Sequence, residues 1–286
     1  MKLVFSRKGF DSQYGGMPSP ILPDGRLLSL PIPSLRDRFT FADVAAHGID
    51  LAALLADLSG GRHALPDRIH LDPDLDRARA LRAKGWRPAL GQAGAAQGHL
   101  AKCGVGAGDV FLFFGWFRQV ERRDGRWRYA RNAPDLHVLF GWLEVDAVVS
   151  LAAGREDCLR RFPWSADHPH VVSPERYDDP RNTLYIGARK SRLRPGAGGG
   201  CFTHFRDCLQ LTAPGASRSR WSLPAWFMPR RGRPALTYHQ NPARWRRSGD
   251  RVLLQSVAKG QEFVLDAQAY PETLGWLAEV ISKSRA

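Results

Sequence analysis

The chain has 286 residues, of which 43% are apolar and 10% aromatic; this is ample for a packed core and excludes a disordered chain. A net charge of +14 favours polyanionic partners, although a composition that prefers Arg over Lys gives a merely basic surface just as well. The longest apolar run, Val110 to Phe117, is strand-sized and far below the roughly 18 residues of a membrane span.

Lys2 to Ser6 alternates as a strand and delivers Arg7, Lys8 and Asp11 at its end, followed by Gly15-Gly16. Polar side chains fixed at a strand terminus beside glycines can form a polar site, or simply a solvated loop. Arg7 and Lys8 are candidates to neutralise a phosphate or carboxylate, and Asp11 is a candidate acid or base. The same charges interrupt any apolar core near the start, so no signal peptide is expected. Four Cys without a CxxC pair fit a reduced, cytoplasmic protein. Pro18, Pro20 and Pro23, then Asp24-Gly25, predict a rigid loop that returns into a second strand over Leu27 to Ile32. This opening, SRKGFDSxxGGxPSPILPDGRLLSLPIP, resembles the nucleotide-modification-associated domain family of type 3. The resemblance implies action on a base or nucleotide.

Apolar residues recurring at three and four predict helical structure from 34 to 58, broken at His47-Gly48; His47 and His63 fall in polar joins and are expected to be solvated. In LPDRIHLDPDLD, Ile69 and Leu71 alternate with His70 and Asp72 as in a short strand that Pro73 stops. Asp74 or Asp76 then caps a helix running to Lys84. His70, Asp72 and Asp74 at one strand end can share a divalent metal, and H-x-D supplies two members of a two-His, one-carboxylate triad whose third member is a distant His. The same residues also suit a capping cluster.

The run from 89 to 109 is Gly-rich without GxGxxG spacing, which gives no support to dinucleotide binding. Gln97 and His99 flank Gly98, where backbone can approach a ligand, and His99 is a catalytic candidate. AAQGHL and the GDVFLFFGWFR that follows it also resemble the family. DVFLFFGWFRQV, from Asp109, and HVLFGWLEVDAVV, within 136 to 149, predict strong strands, with a hairpin turn at Asp124-Gly125. Their two FGW repeats resemble small β-barrel domains that read modified bases. His137 opens the second strand and is a candidate distal metal ligand.

A helix is expected over 156–164. His168 and His170 astride Pro169 suit either metal ligation or a polar loop. Asn182 to Ala188 and 260–267 read as strands, the latter carrying Glu262 as a possible inward acid; a mobile basic loop lies between, at Arg189 to Gly200. TYHQNPARW again resembles the family and contains His239, the second candidate for distal ligand. From Arg176 to Arg251 there are 16 Lys and Arg against 4 Asp, a balance of +12. A terminal amphipathic helix spans Tyr270 to Ser282.

These elements predict one α+β domain over 1–286, with a central mixed sheet, flanking helices, a β subregion at 105–150 comparable to a small barrel, and a basic C-terminal half at 176–251. The expected function is a metal-dependent enzyme that modifies a nucleotide or a base in nucleic acid. Its divalent metal would be iron, or else manganese or magnesium. Two alternatives stay open: an iron-dependent oxidative enzyme acting on a peptide or small molecule, and a non-catalytic reader that binds modified DNA through Trp116, Trp142 and the basic half.

Overall fold

The structure is a computed structural model that describes residues 1–46, 48–173 and 178–283, so His47 and Arg176 lie outside the described residues. Five helices and twelve strands are described. In chain order they are β1 (Lys2–Arg7), β2 (Ser19–Ile21), α1 (Leu51–Ser59), β3 (Ala89–Gln92), α2 (Gly94–Lys102), β4 (Val110–Arg123), β5 (Arg126–Tyr129) and β6 (Leu136–Ser150). There follow α3 (Leu151–Arg161), α4 (Pro169–Val172), β7 (Thr183–Gly187), β8 (Gly199–Cys201), β9 (Arg220–Pro224), β10 (Trp245–Ser248), β11 (Arg251–Gln255), β12 (Glu262–Asp266) and α5 (Glu272–Lys283).

Nine of the described strands form one mixed sheet ordered β12-β1-β4-β6-β7-β3, with β2 and β5 joined to β4 and β8 to β6. The fold is therefore α+β with a central mixed sheet, as the sequence predicts. The β subregion is part of this open sheet and closes no barrel. The centre is apolar on both faces: Leu3, Val4 and Phe5 of β1 and Phe111 to Phe114 of β4 are fully buried. That is the reason their sequences read as continuous apolar runs. β1 runs parallel to β4 (Leu3 opposite Val110, Arg7 opposite Phe114), so β4 continues past the point where β1 ends. The β4–β5 hairpin turns at Asp124 (φ 53°) and Gly125 (φ 78°), the left-handed pair that an Asp-Gly turn supplies.

A second sheet of three strands, ordered β10-β11-β9, was not foreseen in the sequence. It packs on the main sheet through Trp221, which meets Phe114 edge-on at 5.0 Å and lies 5.8 Å from Phe5. The glycines of the two FGW repeats make room for close neighbours rather than for a ligand. A Cβ on Gly115 would come within 2.9 Å of the Lys8 carbonyl, and one on Gly141 within 2.4 Å of Leu75. Several local expectations also change. Leu27 to Ile32 and Ile69 to Leu71 make only isolated bridges, and the helix expected after Asp76 is a single 3-10 turn. β3 fills a stretch whose small residues gave no strand signal.

Candidate metal centre

β1 ends at Arg7, and the chain leaves the sheet into a pocket of about 460 Å³ lined by Arg7, Lys8, Asp11, His70, Asp72 and His170, among others. The segment carrying His70 and Asp72 is held by backbone bonds, from Ile69 N–H to the Phe39 carbonyl and from His70 N–H to the Ile32 carbonyl. On the far side, α4 opens with Pro169 at its first turn, and the His168 Nδ1 accepts the His170 N–H at 3.3 Å. Proline needs no hydrogen bond there, so HPH is a compact device for turning His170 inward.

One ligand atom from each of His70, Asp72 and His170 falls within a common span of 4.8 Å. Metal bonds of about 2.1 Å allow at most about 4.2 Å between ligand atoms, so side-chain shifts of a few tenths of an ångström close the set. Both imidazoles are oriented from behind. The Nδ1 of His70 lies 3.0 Å from Asp37 Oδ2, and the Nδ1 of His170 lies 2.7 Å from Asn182 Oδ1. Asn182 also donates from Nδ2 to the His170 carbonyl at 3.0 Å, which fixes the backbone together with the ring. Nδ1–H donation of this kind puts the ligating lone pair on Nε2. Gly91 completes the cluster in two ways. Its N–H donates to Asp72 Oδ1 at 2.6 Å, and its missing side chain is the space into which the His170 ring fits.

The electrostatics keep this donor set ready for a cation. Burial pushes the Asp72 carboxyl up, but the His168 contact at 3.4 Å and the Lys8 ammonium at 3.9 Å outweigh it and hold the carboxyl well below its usual range. Burial lowers His170 to about 3 despite nearby Asp72, so its ring is neutral, the form that binds metals. Lys8 also lies 3.7 Å from Glu262, whose Oε1 accepts from Gln92 Nε2 at 2.6 Å and Ser6 Oγ at 3.1 Å. Burial raises the Glu262 carboxyl above its ordinary value in spite of Lys8. Glu262 thus faces inward, and Lys8 bridges the two acids.

Arg7, Lys8, Asp11, His70 and Asp72 are brought together in one pocket. The Arg7 guanidinium is braced on the Ala258 and Val257 carbonyls, and burial lowers its pKa. Asp11 Oδ1 accepts from the Gln13 and Tyr14 N–H groups, each at 2.7 Å, and so shapes the rim. The other candidates lie elsewhere. Asp74 is turned onto Arg82 and onto Trp86 Nε1 at 3.0 Å. His137 sits in the core, where its Nδ1 accepts from Trp221 Nε1 at 2.9 Å. Both nitrogens of His239 are engaged, Nδ1 with the Thr237 carbonyl at 2.8 Å and Nε2 with the Val257 N–H at 3.2 Å. His99 lines a separate cavity with Gln97, Arg181 and Tyr238 and meets Thr237 Oγ1 at 3.0 Å. Trp142 is only 1% exposed, so that half of the FGW pair has no binding surface. The sequence signals for Asp37, Gly91 and Asn182 are nil, because each acts through a long-range contact.

A family model described as nucleotide modification associated domain 3 matches residues 2–266, a span that holds every residue of the pocket. The chain belongs to the nucleotide modification associated domain 3 family. No curated protein and no solved structure matches the chain. In this member of the family, the described residues contain no helix long and apolar enough to cross a membrane.

Proposed function

We propose that this domain is a metal-dependent enzyme that modifies a nucleotide or nucleobase, with its divalent metal held by His70, Asp72 and His170. The observation that carries the reading is the convergence of two imidazoles and one carboxylate, each fixed by a partner behind it, at the floor of a basic pocket. Two nitrogens and one oxygen suit iron(II), and less so magnesium, which prefers oxygen alone. Iron(II), if held by these residues, would supply oxidative chemistry.

The protein's own groups have separable roles. Asp37 and Asn182 orient the rings, while the Gly91 N–H and Lys8 keep Asp72 anionic and aimed. Arg7 and Lys259 line the pocket and offer cationic groups to an anionic substrate. Glu262 and Gln92 hold Lys8 between the strands.

The test joins metal content to turnover. Purified protein reconstituted with iron(II) should hold about one metal per chain, and His70→Ala, Asp72→Ala and His170→Ala should each lose it while His99→Ala keeps it. Mass spectrometry of nucleosides after incubation with nucleic acid or free nucleotides should then show a metal-dependent mass change. Full metal content in all three ligand variants would sink the proposal.

A further inference from the structure

A second cavity, of about 560 Å³, lies outside the metal pocket and is lined by Gln97, His99, Lys102, Arg181 and Tyr238, with no carboxylate among the described residues of its wall. Helix α2 supplies one side. Gly98 and Lys102 stand one turn apart on it and so share a face. Arg181 lies against Gly98: a Cβ there would be 3.5 Å from its Cδ and Nη1 and 3.6 Å from its Cζ. The absent side chain thus lets the Arg181 guanidinium settle on the face that carries Lys102. Asp179 accepts the Arg181 N–H at 2.7 Å, and among the described residues no acceptor engages the Arg181 guanidinium or the Lys102 ammonium.

A buried amide points the same way. Gln97 is only 7% exposed, and the Tyr185 hydroxyl donates to its Oε1 at 3.0 Å. That bond commits the oxygen and leaves Nε2 of this cavity residue with no acceptor among the described residues. An amide donor in that state calls for an acceptor from outside the chain. Tyr238 supplies an aromatic wall. It is 47% exposed, and its ring lies 4.6 Å from the His99 ring. Its backbone is left-handed (φ 64°), a conformation that a bulky residue adopts only where its surroundings impose it, and one that gathers at ligand sites. Burial, with Lys102 adding to it, lowers the His99 pKa, so the ring under Tyr238 is neutral.

We propose that this cavity binds a small planar molecule that carries an oxyanion, a phosphate or a carboxylate. The oxyanion takes the Arg181 guanidinium, the Lys102 ammonium and the Gln97 amide, and the ring lies on Tyr238. A cavity rich in donors and free of carboxylates favours an anion, and a half-exposed ring favours a flat one. The site does not depend on the metal reading, although it adjoins the metal pocket: the Tyr238 ring lies 3.6 Å from where a Cβ would sit on Gly260, a residue of that pocket.

The experiment is isothermal titration of the full chain with phenyl phosphate and with benzoate, beside inorganic phosphate and phenol. Phenyl phosphate, benzoate or both should bind, and more tightly than inorganic phosphate or phenol; whichever binds identifies the oxyanion. Arg181→Gln/Lys102→Gln should weaken that binding about tenfold or more. Both residues are exposed, so folding is not at risk in this variant. Tyr238→Gly, which suits a left-handed backbone, should weaken binding roughly two- to tenfold by removing the ring contact. His70→Ala should bind the probe as the wild type does, which separates this inference from the metal reading. Failure of both probes to bind would overturn the inference, as would equal affinity for inorganic phosphate or wild-type affinity in Arg181→Gln/Lys102→Gln. Binding that Lys259→Gln abolishes instead would place the probe in the metal pocket and overturn it equally.

Discussion

Replacing Gly91 by Ala should disable the metal centre without touching a ligand. The added Cβ would lie 2.0 Å from His170 Cδ2, 2.2 Å from Cγ and 2.7 Å from Nε2. Ordinary contact begins near 3.4 Å, so the imidazole must retreat by about 1.4 Å. A ring that moves so far gives up its 2.7 Å bond to Asn182 and carries Nε2 out of reach of a shared ion. The Gly91 N–H to Asp72 bond is a backbone contact and survives. Overpacking of this kind costs about 1–3 kcal/mol, which for a chain of this size lowers the melting temperature by several degrees without unfolding it. Loss of a partner that orients a ligand weakens metal binding by roughly 10–100-fold, and displacement of the ligand itself should reach at least that range. Competition of the folded variant with a chelator for iron(II) measures the effect. Wild-type metal affinity in Gly91→Ala would refute the placement of His170.

Asp37→Asn keeps the shape behind His70 but removes the carboxylate charge, and should weaken iron(II) binding about tenfold or more in the same competition assay. Asp74→Asn should lower the melting temperature, because it weakens the pairing with Arg82, yet leave metal stoichiometry at the wild-type value; loss of the metal would make Asp74 a ligand after all. Burial lowers His239 to about 4 from an ordinary value near 6.5, so the unfolded chain takes up a proton there that the folded chain refuses. Stability contributed at His239 is therefore complete above pH 6.5 and is lost as the pH falls from 6.5 towards 4. Urea melts of the wild type and His239→Gln across that window should show a shallower pH slope in the variant, and equal slopes would refute the assignment.

Much of the fold was legible because its central strands announce themselves locally. β1, β4 and β6 carry apolar runs that only burial on both faces explains, and Asp124-Gly125 names its own hairpin. β3 was not legible, since Ala89 and Gly91 are small and the strand is defined by its pairing with β7. β9 to β11 were hidden for a related reason, because Arg-rich outward faces interrupt the apolar signal. In the candidate site, H-x-D spacing was enough to single out His70 and Asp72 as a pair, and the structure places both in one pocket. Which histidine joins them there was not decidable by spacing. His137, His170 and His239 all sit among apolar and basic residues, and what separates them is which ring nitrogens Trp221, Asn182 and Val257 engage. Those contacts span up to 84 residues, far beyond any local pattern.

The central claim is tested most directly by anomalous diffraction at the iron edge, on crystals grown or soaked with iron(II) under nitrogen. The account predicts one peak within about 2.2 Å of His70 Nε2, His170 Nε2 and an Asp72 carboxylate oxygen. A peak at Asp74, His137 or His239, or no peak at His70, Asp72 and His170 while the metal remains in the crystal, would contradict it.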